Sequence, residues 1–242
     1  MLSTTNFRKL SFLVYGLGLT GQSVVKFFKK NNFKNFQVWD DKIKNLYKSK
    51  RTNDLPKTLK KANFIVLSPG VSLNKNLKKL EKFKKKIITD IDLIFLLCKF
   101  KKSIVVTGTN GKSTTCKIIA HILKNNKFKT LLGGNIGTPI LDLKVKKNSF
   151  LIIEASSYQL AHSKFIQPDY AFLLNISNDH LDWHGNMKNY VNSKFKIFEH
   201  QKKHQYSFVN KKLKKNFQKR KFSGKLIIPN INEYTKLKAK IK

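Results

Sequence analysis

The stretch "SIVVTGTNGKSTTCKIIAHIL", residues 103–123, decides the fold of this chain. An apolar run typical of a buried strand ends at Thr107, and apolar residues with helical spacing begin soon after Ser113. The glycine-rich segment between them, residues 108–114, therefore predicts a strand–loop–helix unit that binds phosphate. The spacing departs from the usual Gly-x-x-x-x-Gly-Lys form, because position 106 is valine and a glycine stands at 108 instead.

Each residue type in this segment suits a nucleoside triphosphate. Backbone N–H groups of the loop would surround the β-phosphate, and the Lys112 ammonium would reach the β- and γ-phosphates. The Ser113 hydroxyl would ligate Mg²⁺. The candidate triphosphate-binding residues are Gly108, Thr109, Asn110, Gly111, Lys112, Ser113 and Thr114.

A second glycine-rich turn lies near the N-terminus, in "FLVYGLGLTGQSVVKFF", residues 12–28. Its Gly16-x-Gly18-x-x-Gly21 spacing, between an apolar strand and a helix, is that of a dinucleotide-binding fingerprint. An acid at the end of the following strand, in "FQVWDDK", is the residue type that meets a ribose hydroxyl. These features alone leave three alternatives open, namely NAD, another nucleotide, or a strand-to-helix turn with no ligand.

Apolar runs alternate with helical patterns along most of the chain. Short continuous apolar strands separated by helices predict an α/β fold with parallel sheets covered on both faces. The lysine-rich residues 99–102 interrupt this pattern, which predicts one domain over residues 1–98 and a second over residues 99–242. The predicted strands cover residues 12–16, 35–39, 63–67, 103–107, 129–132, 149–154, 170–176, 205–209 and 225–228. The predicted helices cover residues 20–30, 76–84, 90–98, 113–125 and 187–200.

Composition limits the class of protein. A chain of 242 residues that is 40% hydrophobic can bury a sizeable core. The net charge of +37 comes almost entirely from lysines spread along the chain, so it does not indicate a nucleic-acid partner, which would favour arginine. Two cysteines are too few for a disulfide framework. With no signal-peptide pattern and no apolar run of spanning length, we expect a cytoplasmic protein without membrane insertion.

Carboxylates are scarce, and a few stand where a metal site would need them. Glu154 ends the buried-strand pattern in "SFLIIEASSYQL", residues 149–160, where either a cation from a lysine or a metal would balance its charge. His180 follows another predicted strand and is either a metal ligand or a polar loop residue. Lys194 lies on an amphipathic helix and by composition alone would be a surface charge.

Several ordered motifs together resemble the Mur ligases. These motifs are "GLGLTG" (16–21), "SPGVS" (68–72), "GTNGKST" (108–114), "GGNIGTP" (133–139), "EASSYQL" (154–160), "NDHLDWHG" (178–185) and "YVNSKFKIF" (190–198). The form "EASSYQL" is most similar to members that add D-glutamate to UDP-N-acetylmuramoyl-L-alanine. The resemblance extends to about residue 210 and implies a Rossmann-like UDP-binding domain followed by an incomplete phosphate-loop α/β domain that binds ATP.

The resemblance implies that the N-terminal turn holds the UDP end of the muramoyl substrate rather than NAD. Matched to the family's motifs, Gly18, Leu19 and Thr20 would contact the diphosphate. Asp40 and Asp41 would meet the uridine, and Ser68, Pro69 and Gly70 would line the same pocket. The residues implied are Gly18, Leu19, Thr20, Asp40, Asp41, Ser68, Pro69 and Gly70.

The resemblance also implies ATP-dependent amide formation with Mg²⁺. ATP would phosphorylate the alanyl carboxylate, and the amine of D-glutamate would attack the acyl phosphate. The implied catalytic residues are Lys112, Glu154, His180 and Lys194, and the implied metal ligands are Ser113, Glu154, His180 and Lys194 as a carbamate. Asn135 and His180 would orient the reacting end of the substrate, and Ser156 and Gln159 would also bind the substrate.

Family members are usually longer than 242 residues, and no family motif follows about residue 210. The sequence therefore predicts a C-terminally truncated or split ligase that is weak in amide formation alone. In the split case a separate chain would supply the missing domain. Three rivals remain: a remnant that holds the UDP-sugar without turnover, a folylpolyglutamate synthase, and an NAD enzyme. The second lacks an N-terminal UDP domain, and the third leaves the phosphate-binding segment unexplained.

Overall fold

The computed structural model describes residues 4–71 and 79–229. Within these residues the strands form a four-stranded sheet and a six-stranded sheet, and every strand pairing is parallel. Parallel strands need crossover connections, and helices supply most of them. The predicted fold class, α/β with a Rossmann-like unit and a phosphate-loop unit, is confirmed.

The elements are labelled in chain order. The strands are β1 Phe12–Tyr15, β2 Phe36–Trp39, β3 Phe64–Leu67, β4 Ile87–Ile88, β5 Lys102–Thr107, β6 Thr130–Gly134, β7 Phe150–Glu154, β8 Tyr170–Leu173, β9 Tyr206–Val209 and β10 Lys225–Ile227. The α-helices are α1 Thr4–Lys9, α2 Leu19–Lys30, α3 Leu55–Lys61, α4 Asp90–Leu97, α5 Lys112–Asn125, α6 Ser157–His162, α7 Leu181–His184, α8 Met187–Phe195 and α9 Lys214–Lys219. Short 3₁₀ helices cover Lys48–Lys50, Glu81–Lys86, Ile140–Asp142, Lys196–Phe198 and Lys211–Leu213.

The four-stranded sheet has the order β2-β1-β3-β4. Strand β1 is buried along its whole length, as its continuous apolar run predicts for a strand covered on both faces. The glycine turn that follows β1 leads directly into α2 at one edge of this sheet. At that turn a Cβ on Gly21 would lie 1.8 Å from the Gly16 carbonyl oxygen, so only glycine allows the close packing.

The six-stranded sheet has the order β10-β9-β8-β5-β7-β6. Strand β5 is therefore central, with β7 on one side and β8 on the other. Its carboxyl end leads into residues 108–114, which we call the phosphate loop, and then into α5. Because ligands of open parallel sheets bind outside the carboxyl ends of the strands, this topology places the phosphate loop where a nucleotide site is expected.

Helix α4 joins the two sheets by packing against the six-stranded part. Its N-cap Thr89 shares a hydrogen bond with Ser163 across a 2.9 Å oxygen–oxygen distance. The carboxylate of Asp92 accepts hydrogen bonds from the backbone N–H groups of Lys164 and Phe165. Apolar residues of both parts also belong to one hydrophobic cluster, so the two sheets share a core.

The sequence predictions miss some elements. Strand β4 is only two residues long and follows a lysine-rich run, so its pattern is too short to detect. Helices α3 and α6 also escaped prediction, although each begins at a capping residue, Asp54 and Ser156 respectively. The predicted helix over 76–84 falls partly outside the described residues, and residues 81–84 of it form 3₁₀ helix. The predicted strand over 170–176 ends at Leu173, where the chain turns toward the phosphate loop.

Candidate nucleotide and substrate site

The phosphate loop presents the N-terminus of α5 to solvent. Gly111 is the N-cap of this 14-residue helix and has a φ of 82°, a left-handed conformation that favours glycine. The first N–H groups of a helix have no partner within the helix, and the helix dipole places partial positive charge there. This helix N-terminus is therefore suited to bind phosphate.

Two lysines converge on the same loop carbonyl. The Nζ atom of Lys112 donates to the carbonyl oxygens of Gly108 at 3.0 Å and Thr109 at 2.7 Å. The Nζ atom of Lys194, on α8, donates to the Gly108 oxygen at 2.8 Å. Both ammonium groups thus lie at the mouth of the loop, where a polyphosphate would balance their charge.

Lys194 is only 2% exposed. Burial and, to a smaller extent, the nearby positive charge of Lys112 together lower its pKa to about 7, while Asp179 opposes the shift. A sizeable fraction of the amine is then neutral near pH 7, which is the form that reacts with CO₂. Its environment is therefore unlike that of the surface lysine that composition alone would suggest.

Glu154 lies at the carboxyl end of β7 and is 3% exposed. Its Oε2 atom accepts a hydrogen bond from the Ser113 hydroxyl at 2.7 Å, and its Oε1 atom accepts one from the Asn135 amide at 3.1 Å. Among the described residues no lysine forms an ion pair with it. Of the two alternatives left by the sequence, a lysine partner is not found among the described residues, and the neutral donors Ser113 and Asn135 hold both carboxylate oxygens.

The oxygen atoms of Ser113 and Glu154 fit Mg²⁺, a hard cation that takes carboxylate and hydroxyl oxygens together with phosphate and water. Within residues 4–71 and 79–229, no group of three or more His, Cys, Asp or Glu side chains is placed to hold a metal.

Two residues outside the predicted set hold the loop in place. Asn175, just after β8, accepts from the Asn110 backbone N–H at 2.9 Å and donates to the Asn110 carbonyl at 3.1 Å. The Tyr190 hydroxyl lies 2.9 Å from the Thr109 hydroxyl, and the Lys194 ammonium lies 4.7 Å from the Tyr190 ring centre. Tyr190 precedes Lys194 by one helical turn, and this spacing is the sequence signal that could have identified it.

His180 lies near Tyr190, and within the part of the chain that the structure describes it forms no hydrogen bond with the phosphate loop. Its backbone is left-handed, with a φ of 53°, and its Nδ1 atom lies 3.2 Å from an Asp179 oxygen. Its ring packs against Tyr158 at 4.9 Å and lies 6.3 Å from that of Tyr190. The link between His180 and the phosphate loop is therefore indirect and runs through Tyr190, whose hydroxyl lies 2.9 Å from that of Thr109.

All the residues predicted for the UDP end line one cavity of about 750 Å³, here called the glycine-turn cavity. Its other walls include Tyr15, Lys42 and Val71 from the four-stranded part. Asp182 and Trp183, on α7 of the other part, close one side. The predicted residues that line it are Gly18, Leu19, Thr20, Asp40, Asp41, Ser68, Pro69 and Gly70.

The two adjacent acids of this cavity are already engaged. Asp40 accepts hydrogen bonds from the backbone N–H groups of Leu17, Lys42 and Ile43. Burial raises the pKa of Asp40, but these three hydrogen bonds and the charge of Arg51 outweigh it and lower the pKa overall. Asp41 accepts from the Tyr15 hydroxyl at 2.9 Å and from the indole of Trp39 at 3.0 Å. Both acids therefore shape the cavity wall.

Ser156 and Gln159 lie apart from the phosphate loop and the glycine-turn cavity. They form the capping box of α6, in which each side chain accepts from the other residue's backbone N–H group. The Gln159 amide also donates to both oxygens of the buried Asp90 at 3.2 Å. These contacts give the pair a structural role, and their predicted substrate contact stays a prediction. Thr114, also predicted, is exposed on the first turn of α5.

Taken together, a glycine loop after a central parallel strand, a lysine at the helix start and a buried acid on the neighbouring strand define a phosphate-loop nucleotide-binding α/β protein. Comparison with known families narrows this class. The Mur ligase middle domain matches residues 106–240, and the N-terminal domain described as Mur ligase MurD-like matches residues 10–92. The chain belongs to the Mur ligase family.

Individual relatives agree. The UDP-N-acetylmuramoylalanine–D-glutamate ligase of Rickettsia bellii is 38% identical over 213 residues, which cover 85% of this chain and 47% of that protein. The ligase of the same name from Rickettsia prowazekii is 39% identical over 212 residues, covering 84% of this chain and 47% of that protein. The chain therefore spans about half the length of the curated relatives it matches.

A solved structure supports the fold. The UDP-N-acetylmuramate:L-alanyl-gamma-D-glutamyl-meso-diaminopimelate ligase from Neisseria meningitides superimposes with a TM-score of 0.55 at 16% identity. The superposition covers 90% of this chain and 76% of that one. Across the part of the chain that the structure describes, no helix combines the length and the hydropathy needed to cross a membrane.

Proposed function

We propose that this chain binds UDP-N-acetylmuramoyl-L-alanine in the glycine-turn cavity and ATP at the phosphate loop. It would take part in the ATP-dependent addition of D-glutamate to that substrate. The observation that carries the proposal is that residues of both the four-stranded and the six-stranded part line the glycine-turn cavity. Asp182 and Trp183 belong to the segment that also carries His180, so a ligand anchored by Gly18 and its neighbours would extend toward the phosphate loop.

The proposed reaction has two steps. An oxygen of the alanyl carboxylate attacks the γ-phosphorus of ATP, which forms an acyl phosphate and releases ADP. The D-glutamate amine then attacks the acyl carbon, the amide bond forms, and inorganic phosphate leaves with the bonding electrons of the C–O bond. Catalysis of this kind depends mainly on positioning and on electrostatic stabilisation of the transferred phosphoryl group.

Each residue of the site has a role in this scheme. The N-terminus of α5 and Lys112 would bind the phosphates, and Asn135 and His180 would orient the acceptor carboxylate. Ser113, Glu154, His180 and a carbamate on Lys194 would hold Mg²⁺. When bound, Mg²⁺ would offset repulsion between the carboxylate and the phosphates, which is roughly 4 kcal/mol for two unit charges at about 4 Å and an effective dielectric of 20.

Because this chain matches only about half the length of its curated relatives, the proposal is limited to these two subsites. The curated relatives extend over about twice the span they share with this chain, so the D-glutamate contacts are not assigned to residues described here. The rest of the relatives' length can be expressed as a separate chain. It enters the experiment below as an added component.

The experiment measures binding and turnover separately. Calorimetry with UDP-N-acetylmuramoyl-L-alanine, with a non-hydrolysable ATP analogue plus Mg²⁺, and with NAD should give saturable binding for the first two only. Phosphate release that requires D-glutamate, alone or with the separately expressed remainder of a relative, would establish the ligase activity. Binding of the UDP-sugar without any turnover in either arrangement would favour a remnant that only holds the substrate, and tight NAD binding would overturn the proposal.

A further inference from the structure

A second cavity, of about 380 Å³, lies between the four-stranded and six-stranded parts. We call it the seam cavity. Lys84 contributes from the four-stranded part, and the other lining residues come from α6, α7, α8 and the segments that follow α6 and α8. None of the phosphate-loop residues lines it, so it is separate from the proposed nucleotide site, and it shares Trp183 with the glycine-turn cavity. Its titratable lining side chains are Lys84, His162, Lys164, His184 and Lys196.

The seam cavity carries positive charge with no acid on its wall. Among the described residues that line it, none is aspartate or glutamate. The ion pairs found among the described residues do not include Lys164 or Lys196, and Lys84 pairs with Glu81 only at the surface, where both side chains are about half exposed. Asp92 and Glu199 lie near enough to influence these lysines, but Asp92 already accepts hydrogen bonds from Thr89, Lys164 and Phe165.

Two lysines of the cavity, Lys164 and Lys196, are held by hydrogen bonds and still have N–H donors available. The Lys164 ammonium donates to the carbonyl oxygens of Lys84 at 2.7 Å and Lys85 at 2.5 Å, which ties the two parts of the chain together. The Lys196 ammonium donates to the Ala161 carbonyl at 2.6 Å. Since an ammonium group has three N–H donors, each of these lysines retains at least one for a ligand.

His162 adds a buried nitrogen that has no partner. Its Nε2 atom is shielded from solvent and makes no hydrogen bond with the described residues. Burial, followed by repulsion from Lys196, His184, Lys164 and Lys84, lowers the pKa of His162 to about 4. A buried polar atom without a partner calls for an explanation, and an acceptor bound in the cavity would supply one.

We propose that the seam cavity binds a small multivalent oxyanion of the phosphate class, through Lys84, Lys164, Lys196 and the Nε2 atom of His162. Lysine binds phosphate as a point charge, and the described residues that line this cavity include three lysines and no arginine. An anion here would join Lys84 of one part to Lys196 of the other. Inorganic phosphate and diphosphate carry the same chemistry and are the two probes.

The first test is calorimetric titration with inorganic phosphate and, separately, with diphosphate, each at constant ionic strength set with chloride. The variant Lys112→Ala weakens the phosphate loop and so reduces its share of the measured binding. In that background Lys196→Met should weaken binding at least tenfold, while Lys188→Met, an exposed lysine on α8 outside the cavity, should leave it unchanged. The tighter of the two anions identifies whether free phosphate or a diphosphate group is the better ligand.

The second test needs no substitution in the cavity and so does not depend on a variant that folds. The ¹⁵N signal of His162 Nε2 should shift saturably as phosphate is added to the Lys112→Ala protein. Absence of saturable binding in that protein, equal losses in Lys196→Met and Lys188→Met, or an unmoved His162 signal would each overturn the proposal. None of these outcomes bears on whether the phosphate loop binds ATP.

Discussion

The Nζ atom of Lys194 lies 2.8 Å from the carbonyl oxygen of Gly108, across 86 positions of sequence. This contact joins α8 to the phosphate loop and places a buried amine beside the site proposed for ATP. Its position has a direct chemical consequence, because a lysine whose pKa is about 7 is the kind that CO₂ can carbamylate.

We expect Lys194 to carry a carbamate. Protein equilibrated at a fixed pressure of ¹³CO₂ should show a carbamate carbon signal by NMR. Because burial lowers the pKa of Lys194 to about 7, the amine is mostly neutral at pH 8 and mostly protonated at pH 6, so the signal should be larger at pH 8. Lys194→Met, which keeps a similar apolar stem, should abolish the signal, and Lys188→Met on the same helix should keep it. A signal that survives Lys194→Met would place the modification on another lysine.

Lys112→Ala should weaken binding of the ATP analogue by about 10- to 100-fold, the usual cost of losing a hydrogen bond from a charged donor. The fold should survive, because Lys112 is only partly buried and its partners in this structure are loop carbonyls. The matched control is Lys117→Ala, an exposed lysine on the same helix, which should bind normally. Calorimetry measures the affinities and circular dichroism checks the fold. Unchanged affinity in Lys112→Ala would remove the phosphate loop from the proposed function.

Asp90→Asn should stabilise the protein at pH 7.5. Burial raises the pKa of Asp90 to about 6, above the value of about 3.9 in an unfolded chain. The stabilising contribution of this group is therefore complete below about pH 4 and is lost as the pH rises through 6, which amounts to about 3 kcal/mol. Asparagine removes the charge, so its advantage in the free energy of unfolding should shrink as the pH falls toward 4.

Asp169→Asn should destabilise the protein, in contrast to Asp90→Asn. Urea unfolding of both variants measures the two changes in the free energy of unfolding. The Asp169 carboxylate accepts from Lys102 at 2.9 Å and from both the backbone N–H and the hydroxyl of Ser103. Asparagine weakens this set, so a loss of about 1–3 kcal/mol is expected at pH 7.5. Equal destabilisation by both substitutions would mean that the Asp90 charge is not a cost to the folded state.

Two glycines of the N-terminal turn should respond differently to alanine. A Cβ at position 21 would lie 1.8 Å from the Gly16 carbonyl oxygen, so Gly21→Ala must displace the turn and should cost about 3 kcal/mol or more of stability. A Cβ at position 18 meets nothing within 4 Å, so Gly18→Ala should fold normally. Because Gly18 lines the glycine-turn cavity, that variant should still bind UDP-N-acetylmuramoyl-L-alanine more weakly.

Thermal unfolding and calorimetry together separate the two effects. A Gly18→Ala protein that is as stable as the parent but binds the UDP-sugar less well would support close approach of the ligand to this backbone. Unchanged affinity would mean that the diphosphate lies elsewhere in the cavity. A Gly21→Ala protein with unchanged stability would contradict the packing described here.

The sequence by itself determined the α/β class, the positions of the main strands along the chain and the location of the phosphate loop. These follow from local patterns: continuous apolar runs, helical periodicity and glycines at fixed spacing. The eight residues predicted for the UDP end also share one cavity, because each follows a parallel strand of the same sheet and those carboxyl ends lie together.

Only the tertiary structure decided which polar side chains are available for chemistry. Composition and periodicity do not distinguish Lys194 from the other lysines, although the family motif does, and only burial against the loop shows that its pKa is about 7. The Gln159 amide already donates to Asp90, 69 residues away. The Asp40 carboxylate already accepts from the backbone N–H of Leu17, 23 residues away. The physical reason is that burial and hydrogen-bond partners come from residues distant in sequence, and these set the charge and the reach of a side chain.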